Sequence, residues 1–147
     1  MLELSIRQDK CSGILVMLGK GILWLSAVMF TGYGLLSLFS PTTPADFAGL
    51  EILNGDGFAE VGAMYGGLQT GLGLYCGFAA LNREFYRAGL LLLVFGIGAL
   101  AFARLLSLIL SPDAVSAYTW GALGYESLTT VVALLALKVR GRPLAAP

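Results

Sequence analysis

Charged residues are widely spaced along this chain, and the intervals between them are apolar. Four such intervals read as helices, covering about residues 14–39, 61–81, 88–110 and 115–137. A bilayer-spanning helix needs roughly 20 apolar residues at 1.5 Å each, and each interval is long enough. None alternates apolar with polar residues, the mark of a membrane β-barrel strand. The pattern predicts an all-α membrane protein, an antiparallel bundle of four transmembrane helices forming one domain over residues 1–147.

Composition supports lipid as the solvent. Hydrophobic residues make up 57% of the 147 residues and charged ones 12%, with a mean hydropathy of +0.82. A soluble domain carries about 25% charged residues. Nine basic and nine acidic residues cancel, so nothing points to nucleic acid as a partner.

The placement of the charges predicts orientation. Arg7, Lys10, Arg83, Arg87, Lys138, Arg140 and Arg142 all fall on one side of the four spans, whereas residues 40–59 and 111–114 contain no Lys or Arg. Basic residues stay on the cytoplasmic side, so both termini are expected there, in an inner membrane crossed several times. Lys20, near that end of the first span, can extend its ammonium to the interface. The first apolar stretch is too long for a cleavable signal peptide and lacks a small-x-small cleavage site.

Several chemistries are excluded. With no His, a histidine-ligated haem, a histidine di-iron site, ordinary zinc catalysis and a catalytic triad are ruled out. Cys11 and Cys76 have no metal-ligand spacing, and both are expected near the reducing cytoplasmic side, so no disulfide is predicted. No cofactor is expected.

The 40–59 connection predicts a short interfacial helix. Thr43-Pro44 suits a helix start, Asp46 lies in the first turn, and Asn54-Gly55-Asp56-Gly57 reads as a closing turn. Asp46, Glu51, Asp56 and Glu60 make this face acidic, without the alternating ligand spacing of a calcium loop.

The second span is rich in glycine. Gly62 and Gly66, Gly67 and Gly71, and Gly73 and Gly77 each recur four residues apart, the spacing that lets membrane helices approach closely. Spread around the helix, they predict neighbours on several sides. Tyr65 and Gln69 share a face beside Thr70, either for interhelical hydrogen bonds or to line a ligand pocket.

The stretch Tyr65-Gly66-Gly67-Leu68-Gln69 with Gly71 and Gly73, the segment Ala103-Arg104-Leu105-Leu106-Ser107-Leu108, and Glu126 resemble an uncharacterised family of bacterial four-helix inner-membrane proteins, loosely similar to DoxX-like proteins. The resemblance covers nearly the whole chain. It implies a four-helix bundle and carries over no catalytic residue.

Arg104 and Glu126 lie inside apolar spans, where an unpaired charge costs a few kcal/mol. Arg104 is predicted about 9 Å from its helix end and Glu126 about 16 Å from the start of its own. The tight Ser111-Pro112-Asp113 turn makes their helices antiparallel neighbours, so an Arg104–Glu126 ion pair is expected, with Glu60 as the competing partner. Thr130 and Thr119 flank Glu126 as hydrogen-bond candidates. Tyr33, Phe39, Tyr118, Trp120, Phe85 and Tyr86 fit interfacial belts, and Trp24 reads as packing.

Three functions fit these residues. The first is a non-catalytic accessory or structural subunit, packed against membrane lipids and against itself or a larger complex. The second is a binding protein or transporter for a small apolar or amphipathic molecule, built around Gln69, Tyr65, Arg104 and Glu126. The third, an enzyme using Glu126 as acid or base, lacks a visible nucleophile, metal set or second carboxylate.

Overall fold

In a computed structural model the chain is described over residues 2–138, with side chains described from Ser12 onward, and those residues contain no strand. Five helices follow in order. Helix α1 is Leu2–Phe39 and α2 is Thr42–Ala48. Helix α3 covers residues 55–81, built from Gly55–Val61, a wide π-type turn at Gly62–Gly67, and Leu68–Leu81. Helix α4, Tyr86–Leu110, has a second π-type turn at Leu93–Ile97. Helix α5 is Ala117–Leu137.

Local chemistry sets the helix ends. Ser111 precedes Pro112 and is extended, at φ −70° and ψ 131°, because a following proline ring disfavours helical backbone. That ends α4. Gly49 closes α2 in the left-handed region, at φ 67°, which lets Leu50 N–H reach the Ala45 carbonyl at 2.8 Å.

Some predicted boundaries move. Asn54-Gly55-Asp56-Gly57 is a helix start instead of a closing turn: the Asn54 side chain accepts from Gly57 N–H at 2.9 Å, and Asp56 occupies the first turn. Helix α3 therefore begins six residues before the predicted span. Helix α2 begins at Thr42, which places Pro44 within its first turn and not at its first position. Helix α4 begins at Tyr86 and α5 at Ala117. Helix α1 continues well beyond the predicted span toward the N-terminus.

Three of the helices are long and apolar enough to cross a membrane: Ser12–Phe39 within α1, Tyr86–Leu110 and Ala117–Leu137. Helix α3 is as long, but its glycines, tyrosines, Gln69 and Thr70 dilute its apolar character. Leucines, phenylalanines and methionines stand exposed along all the long helices, among them Met17 at 75% and Phe95 at 74%. A surface of this kind is what lipid contacts, and it makes this a membrane protein by its solvent.

Helix α1 is central, packing on both α3 and α5, while α4 packs on α5. The closest approach is between α1 and α3, which run antiparallel. Gly66 lies against Leu38, Thr70 against Gly34, Gly73 against Thr31, and Gly77 against Ala27. Each step of four or three residues up one helix is matched by the same step down the other. A Cβ on Gly66 would sit 2.8 Å from Leu38 Cα, and one on Gly34 would sit 2.5 Å from Thr70 N. Backbones this close gain van der Waals contact, the attraction left to helices once both are in lipid.

The glycines do not give α3 close neighbours on several sides. Gly66 and Gly73 meet α1 tightly, Gly77 touches Ala27 at 3.6 Å, and Gly62 approaches Pro41 at 3.8 Å. Gly67 and Gly71 have nothing within 4 Å. They lie on a different face of the helix, rotated by about 100° from the Gly66–Thr70–Gly73–Gly77 stripe.

The end of the bundle that carries the start of α1, the α3–α4 connection and the end of α5 is called here the termini end; the other is the α2 end. The termini half holds the apolar core. Leu23, Cys76, Ala79, Leu90, Leu93 and Ala133 are buried there, and Gly89 fits against Ala79 and Leu23.

Candidate functional site

The α2 half of the bundle is polar inside. Its centre is the pair formed by Arg104 of α4 and Glu126 of α5. Arg104 Nε donates to both carboxylate oxygens, at 3.2 and 3.0 Å, and Nη2 donates to Oε1 at 2.8 Å. Two guanidinium nitrogens on one carboxylate make a fork-like, charge-assisted contact. The Glu126 side chain is 8% exposed and that of Arg104 29% exposed. The acid is sealed, while the base keeps an open side.

Position along the helices brings the two together. Arg104 lies six residues before the end of α4 and Glu126 nine after the start of α5, so they sit about 9 and about 14 Å from that end. The difference is less than the reach of an arginine side chain. Glu60 does not compete: it is exposed, and Arg104 bonds to Glu126 instead. Thr130 donates to the backbone carbonyl of Glu126 at 2.8 Å and leaves the carboxylate alone. Its methyl also packs near Gly98 on α4. Thr119 is half-buried and makes no hydrogen bond to Glu126.

Tyrosines complete the cluster. Tyr33 of α1 and Tyr118 of α5 share a hydrogen bond between hydroxyls at 3.2 Å, and Phe47 of α2 stacks on Tyr118 with ring centres 6.1 Å apart. Tyr65 lies within electrostatic range of both Arg104 and Tyr33. It belongs to the π-type turn of α3, a feature that recurs at functional sites because it re-aims a side chain. Gln69 follows on the same face and is half-buried. Deeper in, Tyr125 donates to Ser26 at 3.2 Å, and its ring meets Phe30 edge-on.

Sequence reasoning did not single out the Tyr33–Tyr118 and Tyr125–Ser26 contacts. Both join α1 to α5, and neither pair is close in the chain. The α1 half of the glycine contact, Ala27-Thr31-Gly34-Leu38, was also missed. Its signal was available as a four-three-four spacing that repeats in Gly66-Thr70-Gly73-Gly77.

Four aromatic assignments change: Tyr33 and Tyr118, expected in the outer belt, bond to each other between α1 and α5. Tyr86 points inward, donating to the Val16 carbonyl at 3.3 Å and packing on Gly19, so it joins helices instead of serving as an interfacial anchor. Trp24 is 45% exposed and faces outward instead of packing inside. Cys76 is a free, buried thiol, while the Cys11 side chain, Arg140 and Arg142 lie outside the described residues. No group of three His, Cys, Asp or Glu side chains capable of holding a metal ion occurs among the described residues. A groove of about 480 Å³ runs between α1 and α5 in the termini half, lined by apolar groups such as Met17, Leu25, Leu128 and Val132. It does not reach the ion pair.

No curated protein and no solved structure matches the chain. A family does match, over residues 18–137. The matched stretch contains the α1–α3 glycine contact, the Arg104–Glu126 pair and the tyrosines around it. The chain thus belongs to the family described as a domain of unknown function, DUF4345.

Proposed function

We propose that this protein is a non-catalytic accessory or structural subunit of a bacterial inner membrane. It crosses that membrane four times, with α3 as the fourth span and both termini in the cytoplasm. At 1.5 Å per residue α3 is about 40 Å long, enough to cross. Lys20, Arg83, Arg87 and Lys138 all lie in the termini half, and Asp46, Glu51, Asp56, Glu60 and Asp113 at the α2 end, which supports the orientation.

The observation that carries the accessory role is the state of Glu126. Both its oxygens are held by Arg104 and its side chain is almost sealed. A general acid or base has to reach the proton that it moves, and a proton-carrying carboxylate has to exchange with water. Glu126 is placed to do neither, and so fixes α4 against α5. The side of α3 bearing Gly67 and Gly71, with Met64 and Leu68 beside it, is uncovered and offers a flat face to a further helix.

Extraction from native membranes in a mild detergent, followed by native-gel mass analysis, tests this role. The expected result is a stable assembly containing further copies or another membrane protein. Recovery as a lone monomer under several mild detergents would contradict it.

A further inference from the structure

The polar cluster lies where α3 and α4 have parted, as they have not in the other half of the bundle. Gly98–Leu110 of α4 packs on α5 and has no substantial contact with α1 or α3, and none of its residues is buried. Across from it, Gly62–Gly67 of α3 packs on α1. The two helices meet only toward the termini end, where the start of α4 contacts α3. Near the α2 end they share no comparable contact, with Arg104 on α4 and Tyr65 on α3.

Donors at this opening are unused. Arg104 spends Nε and Nη2 on Glu126 and donates from Nη1 to no described residue. Tyr65 and Gln69 are half-buried and make no hydrogen bond to a described residue. Unmet donors below a membrane surface are costly, since lipid chains offer nothing to accept them. The charge is already balanced, because Glu126 neutralises Arg104. An anion entering here would meet a carboxylate a few ångströms beyond the guanidinium, whereas a neutral acceptor would meet only donors.

We propose that this opening binds the carbonyl oxygen of a neutral acyl ester, carried by an amphiphile that enters sideways from the lipid between α3 and α4. Arg104 Nη1 and the Tyr65 hydroxyl donate to the two lone pairs of the carbonyl, and the acyl chain stays among the lipid-facing side chains. A glycerolipid of the bilayer and a free fatty-acid ester both present this group. The site rests on the membrane-spanning reading but not on the accessory role. Retention of the protein in carbonate-washed membranes checks the former separately.

The experiment measures the thermal unfolding midpoint of delipidated full-length protein in dodecyl maltoside, titrated with methyl oleate, oleate or 1-octadecene. Methyl oleate is expected to raise the midpoint by several degrees, and octadecene to leave it unchanged. Tyr65→Phe, which leaves the ion pair in place, should weaken the response severalfold, and the R104Q/E126Q double variant should lose it. If the double variant does not fold, Tyr65→Phe alone decides. Nanodiscs of diester and diether phosphatidylcholine separate the sources: a higher midpoint in the diester assigns bulk lipid, and equal midpoints beside a methyl oleate response assign a free ester. An equal response to octadecene, a stronger one to oleate, an undiminished one in Tyr65→Phe, or none to any ester would overturn the proposal.

Discussion

The two halves of this bundle are held together by different means. In the termini half, Leu23, Leu90, Leu93, Cys76 and Ala133 fill a continuous apolar core, and α4 touches both α3 and α5. In the α2 half α4 has left α3, the glycine contact still holds α3 to α1, and single polar contacts tie α5 to α4 and to α1: Arg104 to Glu126, Tyr33 to Tyr118. Burial of apolar surface does not drive helices together inside lipid, where the surroundings are equally apolar. The termini half therefore depends on how well many small contacts fit, whereas in the α2 half the attachment of α4 and α5 depends on a few directional bonds. Damage should be graded in the first and abrupt in the second.

Glu126→Ala is the strongest way to break the contrast. It leaves Arg104 charged and unpaired inside the bundle, at an expected cost of about 3 kcal/mol, with the loss confined to the α2 half. Reversible unfolding in mixed micelles measures the cost. Protease sensitivity at the 111–116 connection, raised while that at the 82–85 connection is unchanged, would locate it.

Gly73→Val comes next. Its side chain would collide with the Thr31 backbone and hydroxyl on α1, and overpacking of this kind costs about 1–3 kcal/mol. Gly71→Val is the control, since nothing lies within 4 Å of that position; the unfolding midpoint of the dissociated monomer should match the wild type. Equal damage from both in the assembled protein would mean that the Gly71 face is also covered there.

Single tyrosine hydroxyls mark the smallest step. Tyr125→Phe removes the bond to Ser26, and Tyr33→Phe the bond to Tyr118. Interhelical hydrogen bonds in membranes are worth about 0.6 kcal/mol on average, so each variant should lose about that much in the same unfolding assay.

Much of this arrangement was legible in the residues. Long, predominantly apolar runs placed the long helices, and the spacing of Arg104 and Glu126 on either side of Ser111-Pro112 brought the two charges to neighbouring levels. Helix starts were harder to place: Asn54 reads equally as a turn residue or an N-cap, and only its bond to Gly57 N–H decides. Glycine spacing marked α3 as a packing helix, yet could not say which of its faces meets α1. The two sets of glycines differ by one residue in position, a rotation of about 100°, and the partner stripe lies some forty residues away. The tyrosine bonds to α1 were likewise invisible, because they depend on the depth at which α1 and α5 cross.

The central claim is that Arg104 and Glu126 act as one structural unit inside the membrane. A double-mutant cycle with Arg104→Gln, Glu126→Gln and the double variant, read as unfolding free energies in the same lipid-detergent mixture, tests it directly. The account predicts a coupling of about 2 kcal/mol, with the double variant more stable than either single one. Effects that add to within about 0.5 kcal/mol would show two independent residues, and would contradict it.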